Sequence, residues 1–300
     1  ARRQRQMCIR DSFDFNSGKS VVMGILNVTP DSFSDGGKFF NIDDMLRQAE
    51  QMAKDGVDIF DVGGESTRPG GAPVSGEEER ERVLPAISEL KKRFDIPISV
   101  DTYRAKTAEQ ALARGADLIN DVWGLNHPDD KNHEMARIIS KERCPIIIMH
   151  NRISVMSDAL IEEKAEKGAL SKYPSAYIEK IIDELKFSID IAKEAGVEDD
   201  KIIIDPGIGF AKSLDGNIHA MNNAEHFISL GYPVLLGISR KSIIGKSLGL
   251  SIDEREEATI ALNIIGRMKG HHIFRVHDVR ANRRALDMCD IVLNLSLIHI

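Results

Sequence analysis

Eight times along this sequence a short apolar run stops at a side chain that can hydrogen-bond or carry charge: Asn27, Asp61, Asp101, Asn120, His150, Asp205, Ser239 with Lys241, and Arg275 with His277. The types sort themselves by chemistry. Lys241, Arg275 and His277 suit an anion, phosphate above all, and Arg68 could reach in from a polar loop. Asn27 supplies a hard oxygen of the kind magnesium accepts while it keeps most of its waters and bridges to phosphate. Asp101, Asn120 and Asp205 are acceptors with no cationic neighbour in sequence, so they fit a ligand edge rich in N–H donors, such as that of a pterin or a purine. No Ser-His-Asp or Cys-His grouping has recognisable spacing, and His133-Glu134 lacks the second histidine of a zinc motif, so covalent catalysis is not indicated. Helix capping or strand-end satisfaction could account for any one of these residues, and for Asp61 and Asp121 it is the preferred reading. It accounts poorly for the whole ring.

The elements that must position these groups alternate strictly. Apolar runs over Val21–Leu26, Val57–Val62, Pro97–Val100, Ala116–Ile119, Pro145–Met149, Lys201–Ile204, Pro233–Leu236 and His271–Phe274 read as buried strands, each followed by a helical pattern. Met45, Leu46, Ala49 and Met52 recur at helical spacing ahead of Gly56, and Ser75 with Glu78 has the form of a capping box. The spacing further predicts helices over Ala105–Arg114, near His133–Lys141, over Ser175–Ala195 and Glu254–Lys269, and a short last one over about Ala281–Met288. Strand-helix alternation implies parallel strands with helical crossovers, and eight units is the number that closes a single (β/α)8 TIM barrel. In such a barrel the C-terminal strand ends converge on one face, where active sites lie, and the last two strands often hold phosphate. An open doubly wound sheet is the alternative, but Gly207-Ile208-Gly209 lacks the third glycine of a dinucleotide fingerprint. The barrel is assigned to residues 13–294, after an unpatterned basic extension over 1–12 and before an apolar tail over 295–300.

Composition narrows the class of partner. At 300 residues and 42% hydrophobic the chain can bury a large core, and its formal net charge of -7 gives no global field for nucleic acid or a membrane surface. Cys8, Cys144 and Cys289 are odd in number and far apart, which suits reduced thiols and a cytoplasmic location. No run approaches the length of a membrane span. Three long polar loops stand out: the one after Asn27, with Pro30 and Gly36-Gly37; the one from Gly63 to Gly71; and a stretch from Asn151 to Lys172 that reads as a lid or a variable insertion. The Glu77–Arg82 charge run reads as a solvated helix face, and Trp123 as packing.

Taken in order, seven segments resemble one family. They are Asn27-Val28-Thr29-Pro30-Asp31-Ser32-Phe33-Ser34-Asp35-Gly36-Gly37, Gly64-Glu65-Ser66-Thr67-Arg68-Pro69-Gly70, Ser99-Val100-Asp101-Thr102, Ile119-Asn120-Asp121, Asp205-Pro206-Gly207-Ile208-Gly209-Phe210, Ser239-Arg240-Lys241-Ser242 and Arg275-Val276-His277-Asp278-Val279. Together they resemble the dihydropteroate synthases of folate biosynthesis, a pterin-binding barrel family, over about Val21 to Val292. The resemblance implies a transferase that condenses 6-hydroxymethyl-7,8-dihydropterin pyrophosphate with p-aminobenzoate, giving 7,8-dihydropteroate and pyrophosphate. It implies a pterin site of Asp101, Asn120, Asp205 and Lys241, and a pyrophosphate site of Asn27, Arg275 and His277 with Mg2+ on Asn27. It also implies a p-aminobenzoate pocket of Thr67, Arg68, Pro69, Phe210 and Ser239. Asp101, Lys241 and Arg275 would carry catalysis by a dissociative, non-covalent route, in a homodimer, and sulfonamides would compete with p-aminobenzoate.

Two other readings share the barrel. A folate-dependent methyltransferase would not need Thr67-Arg68-Pro69 or the Arg275/His277 pair, and a non-catalytic pterin-binding paralogue should have lost part of that anion clamp. The chain departs from the family pattern at Asn151-Arg152 after His150, at Ala258-Thr259 in place of a Gly-Thr pair, and at Ala211 in place of a Gly. The last two are expected to be packing variants.

Overall fold

The computed structural model describes residues 15, 17–29, 42–65, 74–151 and 175–298. Among the described residues there are eight short strands: β1 Val21–Asn27, β2 Ile59–Gly63, β3 Ile98–Asp101, β4 Leu118–Asp121, β5 Ile146–Met149, β6 Ile202–Asp205, β7 Leu235–Leu236 and β8 Ile273–Val276. They form one sheet in the order β6-β5-β4-β3-β2-β1-β8-β7, paired in parallel throughout. A parallel bridge from Ile204 to Val234 joins β6 to β7 and brings the two edges together, so the expected (β/α)8 barrel forms.

Helices α1 Ile42–Lys54, α2 Gly76–Arg93, α3 Ala105–Arg114, α4 Glu134–Glu142, α5 Ala176–Glu194 and α6 Leu214–Asn222 follow the first six strands. After β7 come α7 Ser242–Leu248 and α8 Glu256–Met268, and after β8 comes α9 Val279–Ile298. Ser75 and Glu78 cap α2 reciprocally, as their spacing predicts. Helix α7 was not anticipated, because seven residues carry too little period to read. Helix α9 is far longer than the stretch about 281–288, and its backbone runs on through residue 298 of the tail left unassigned. The apolar period breaks at Asp290, yet that residue is on the buried face. Its carboxylate accepts from the Ser20 amide (2.6 Å), the Ser20 hydroxyl (2.9 Å) and Arg267 Nε (2.6 Å), so a polar latch replaces an apolar contact there. Among the described residues no helix is long and apolar enough to cross a membrane.

Strand parity decides where the site lies. Val21, Met23, Ile59, Leu118, Ile147, Ile203, Leu235 and Ile273 form one buried cluster, the barrel's interior. Val22, Phe60, Ile119, Ile146, Ile148, Ile202, Ile204, Leu236 and Phe274, the residues of opposite parity, pack in the separate cluster shared with the helices. Each such side chain contributes about 1.5–3 kcal/mol when fully buried, so the parity is strongly enforced. Two residues beyond the interior cluster, on the same face of each strand, stand Asp61 after Ile59, Asn120 after Leu118, Asp205 after Ile203 and Arg275 after Ile273. The packing that fills the barrel therefore points these polar side chains inward at its C-terminal mouth.

Candidate active site

At this mouth the deepest charges form one network. The Arg275 guanidinium donates from Nε to Asp61 Oδ2 at 2.6 Å and from Nη2 to Asp101 Oδ2 at 2.8 Å. Asn120 Nδ2 donates to the same Asp61 oxygen at 3.3 Å. Asp61, Asp101 and Asn120 are all buried. Sequence reasoning assigned Asp61 to strand-end satisfaction. Its carboxylate instead binds two of the candidate site residues, and the missed signal was parity, which sets it beside Asp101 and Asn120. For Asp121 the structural reading holds: its oxygens accept from the Trp123 (2.9 Å) and Leu125 (2.8 Å) amides and fix the turn after β4.

Burial shifts the ionisation of this group. Desolvation pushes Asp101 up from the usual carboxylate range to about 7 against the pull of Arg275, and the Asp61 charge adds to the rise. Desolvation raises Asp205 as well, opposed by Lys241 and by the Gly207 amide, which donates to it at 2.7 Å. Lys241 is lowered to about 8 by desolvation, with Asp205 opposing and Arg275 reinforcing the fall. Asp205 Oδ2 and Lys241 Nζ both lie within 4 Å of where a Cβ on Gly237 would stand, so that glycine leaves room for the pair.

The loop after β6 is built around Lys241. The ammonium donates to the Ile208 carbonyl and lies 4.3 Å from the centroid of the Phe210 ring. Gly209, at φ 90°, lets the lysine stem pass, since a Cβ there would sit 2.6 Å from Lys241 Cδ. Ala211 has φ 46°, in the left-handed region, so replacing Gly there is a matter of backbone conformation rather than of packing. Ala258, the other departure, does pack against the helix-side core, while the hydroxyl of its neighbour Thr259 accepts from the Arg240 amide at 3.1 Å and helps hold Arg240 at φ 56°. His277 Nδ1 is 2.9 Å from Ser239 Oγ, and the Ser239 hydroxyl accepts from the His277 amide at 3.2 Å.

A cavity of about 200 Å³ opens on these groups, lined by Asn27, Phe210, Ser239, Lys241, Arg275 and His277 among others. Asn27 Oδ1 and Asp101 Oδ2 lie within 4 Å of the Cβ position of Gly63, which places the amide oxygen beside the charge network. Among the described residues no group of three or more His, Cys, Asp or Glu is arranged to hold a metal. A magnesium ion that takes one protein oxygen and completes its shell from phosphate and water fits such a donor set.

His150 is not part of the cavity wall. Its side chain is sealed, with Lys212 donating to Nδ1 at 2.9 Å, which leaves Nε2–H to donate to Glu184 Oε2 at 2.8 Å. Lys212 also donates to the carbonyls of Gly207 (2.9 Å) and Phe210 (3.1 Å), so this chain braces the β6 loop against α5. Thr67, Arg68, Pro69 and most of the loop from Asn151 to Lys172 lie outside the described residues. Trp123 packs edge-on against His127, with centroids 5.0 Å apart.

The likeness to known proteins covers this whole arrangement. Residues 23–277 match the family described as pterin binding enzyme. The dihydropteroate synthase of Clostridium beijerinckii is 50% identical over 283 residues, 94% of this chain and 97% of that protein. The chain belongs to the dihydropteroate synthase family. Among solved structures, the Clostridium difficile dihydropteroate synthase, crystallised in the presence of pteroic acid, is 45% identical with a TM-score of 0.81, covering 91% of this chain and 97% of that one. The Xanthomonas albilineans enzyme with 4-aminobenzoic acid is 34% identical with a TM-score of 0.79, covering 92% and 93%. All the proposed site residues within the described region, Asn27, Asp101, Asn120, Asp205, Phe210, Ser239, Lys241, Arg275 and His277, meet at one end of the family barrel.

Proposed function

We propose that the chain is a transferase that joins 6-hydroxymethyl-7,8-dihydropterin pyrophosphate to p-aminobenzoate, giving 7,8-dihydropteroate and pyrophosphate. One observation carries this reading: an acceptor set, Asp101, Asn120 and Asp205, meets an anion-binding set, Lys241, Arg275 and His277, at a single barrel mouth. The acceptors take the N–H edge of the pterin, with Lys241 beside Asp205. Arg275 and His277 hold the pyrophosphate. Asn27 would hold magnesium, which when bound would withdraw charge from the departing pyrophosphate. Phe210 and Ser239, with Thr67, Arg68 and Pro69, shape the p-aminobenzoate pocket.

The chemistry asks little covalent work of the protein. The electron-rich dihydropterin lets the C–O bond break early, and the bond's electron pair leaves with pyrophosphate. Arg275 and His277 stabilise that departing charge, and Asp101 in its ionised form balances the cation left on the pterin methylene. The aromatic amine is already nucleophilic at neutral pH, attacks that carbon and then loses its proton to solvent. Catalysis rests on positioning and electrostatics.

The assembly we assign is an isologous homodimer in the cytoplasm. Ile265 and Met268 on α8 and Met288, Ile291 and Val292 on α9 are exposed on two helices that pack together, an apolar area suited to a second copy. Cys144 and Cys289 are free thiols, in keeping with a reducing compartment. The deciding experiment follows pyrophosphate release and dihydropteroate together, in magnesium, with and without p-aminobenzoate. Both products should appear only with both substrates; binding of the pterin ester with no dihydropteroate would replace the enzyme by a pterin-binding protein. Sulfonamides should compete with p-aminobenzoate in the same assay.

A further inference from the structure

Arg275 presents a geometric problem for an anion-binding role. Two of its nitrogens are already committed to carboxylates, Nε to Asp61 and Nη2 to Asp101, and among the described residues no hydrogen bond is made by Nη1. The side-on edge of the guanidinium is thus taken and its far end left for a ligand. Asp101 is accounted for by the pterin contact proposed above. Asp61, fully buried beneath the mouth, has no such task.

A carboxylate can only accept. Because Asp61 Oδ2 accepts a hydrogen bond from both Arg275 Nε and Asn120 Nδ2, it dictates which atom each partner turns the other way. The Asn120 amide is forced to place its N–H₂ on Asp61, so its oxygen is the atom left for the substrate. The Arg275 guanidinium is forced to place Nε on Asp61, so Nη1 is the atom left. The second carboxylate oxygen, Asp61 Oδ1, is buried with no hydrogen-bond partner among the described residues, which is a cost that a residue kept for packing alone would not carry.

We propose that Asp61 is the positioning residue of this site, fixing Asn120 as an acceptor toward the pterin and Arg275 Nη1 as a donor toward the pyrophosphate. This rests on the proposed substrates. Asp61 touches neither of them and acts through the two residues it holds. An asparagine in its place keeps the shape but loses the charge, and its amide can offer a donor where only an acceptor serves. Both assignments then become two-fold ambiguous.

The test compares Asp61→Asn with the parent enzyme, Arg275→Ala and the double variant. In Asp61→Asn the KM for the pterin pyrophosphate should rise about tenfold and kcat fall about 10- to 100-fold, the range expected when a hydrogen bond to a charged group is lost. The KM for p-aminobenzoate should stay within about twofold. In the Arg275→Ala background the kcat loss should largely vanish, because the route through Arg275 is gone. Undiminished kcat in a folded Asp61→Asn, or a full multiplicative loss in the double variant, would overturn the inference. Should the variants not fold, the parent decides: the Arg275 Nε–H resonance should stay put when inorganic pyrophosphate and magnesium are added, while the Nη signals move. An Nε–H that shifts with pyrophosphate means that Asp61 does not hold Arg275 during binding. If the parent itself makes no dihydropteroate, the substrate reading has failed, a result distinct from any of these.

Discussion

Neutralising Asp101 should remove a pH-dependent loss of stability and disable the enzyme at once, with the two effects separated by pH. Burial raises the Asp101 pKa from 3.8 to about 7. In the unfolded chain the carboxyl ionises near 3.8, so between that pH and 7 the unfolded state sheds a proton that the folded state keeps. A raised folded pKa gives stability that is complete below the unfolded value and is lost as pH climbs through the folded one. From pH 5 to pH 8 about two pKa units of that interval are crossed, at 1.36 kcal/mol each, so Asp101 removes roughly 3 kcal/mol of stability over this range. Asp101→Asn has no proton to lose. Relative to the parent it should therefore gain roughly 3 kcal/mol between pH 5 and pH 8, a relative rise in thermal midpoint on the order of 5 °C for a chain of this size. Meanwhile turnover at pH 8 should fall by about two orders of magnitude, the scale of losing one electrostatic stabiliser, with pterin binding still measurable. The assay is a set of paired melting curves at one scan rate across that pH range, with steady-state rates at each point. A midpoint difference that stays flat with pH would refute the claim that the fold holds this carboxylate against its preferred ionisation. Near-normal turnover would refute its role in balancing the cation.

Three further outcomes follow from the same geometry. Arg275→Ala should weaken binding of the pterin pyrophosphate by at least tenfold more than binding of the free pterin, measured by calorimetry, and equal losses would contradict the anion assignment. Because Lys241 is lowered to about 8, affinity for the pterin should fall as pH rises through about 8 while the ammonium loses its charge. In Lys241→Met that basic limb should disappear from the binding profile, and a limb that persists would belong to another group. Ala211→Gly, at φ 46°, should relieve left-handed strain and raise stability by about 1 kcal/mol in denaturant unfolding, whereas a loss would show that the methyl group packs usefully.

What sequence conveyed and what it withheld divide along a physical line. Strand-helix alternation depends on local period, so the barrel and the polar strand ends were legible, as was the capping box at Ser75. The partnership of charges was not, because Arg275 meets Asp61 and Asp101 across separations of 214 and 174 residues that no local pattern encodes. His150 shows the limit from the other side. It ends a strand like the proposed site residues, but it follows Met149, which shares parity with the interior residue Ile147, and so its own side chain leaves the barrel for Lys212 and Glu184. Asp61 sits on the inward parity and His150 on the outward one, and counting residues from Ile59 and Ile147 separates them. Polar type at a strand end was thus too weak a criterion. Type together with parity from an interior apolar residue assigns Asp61 to the site and removes His150 from it. Aligning the strands by their interior residues, before weighing any side chain's chemistry, makes that distinction in a parallel barrel.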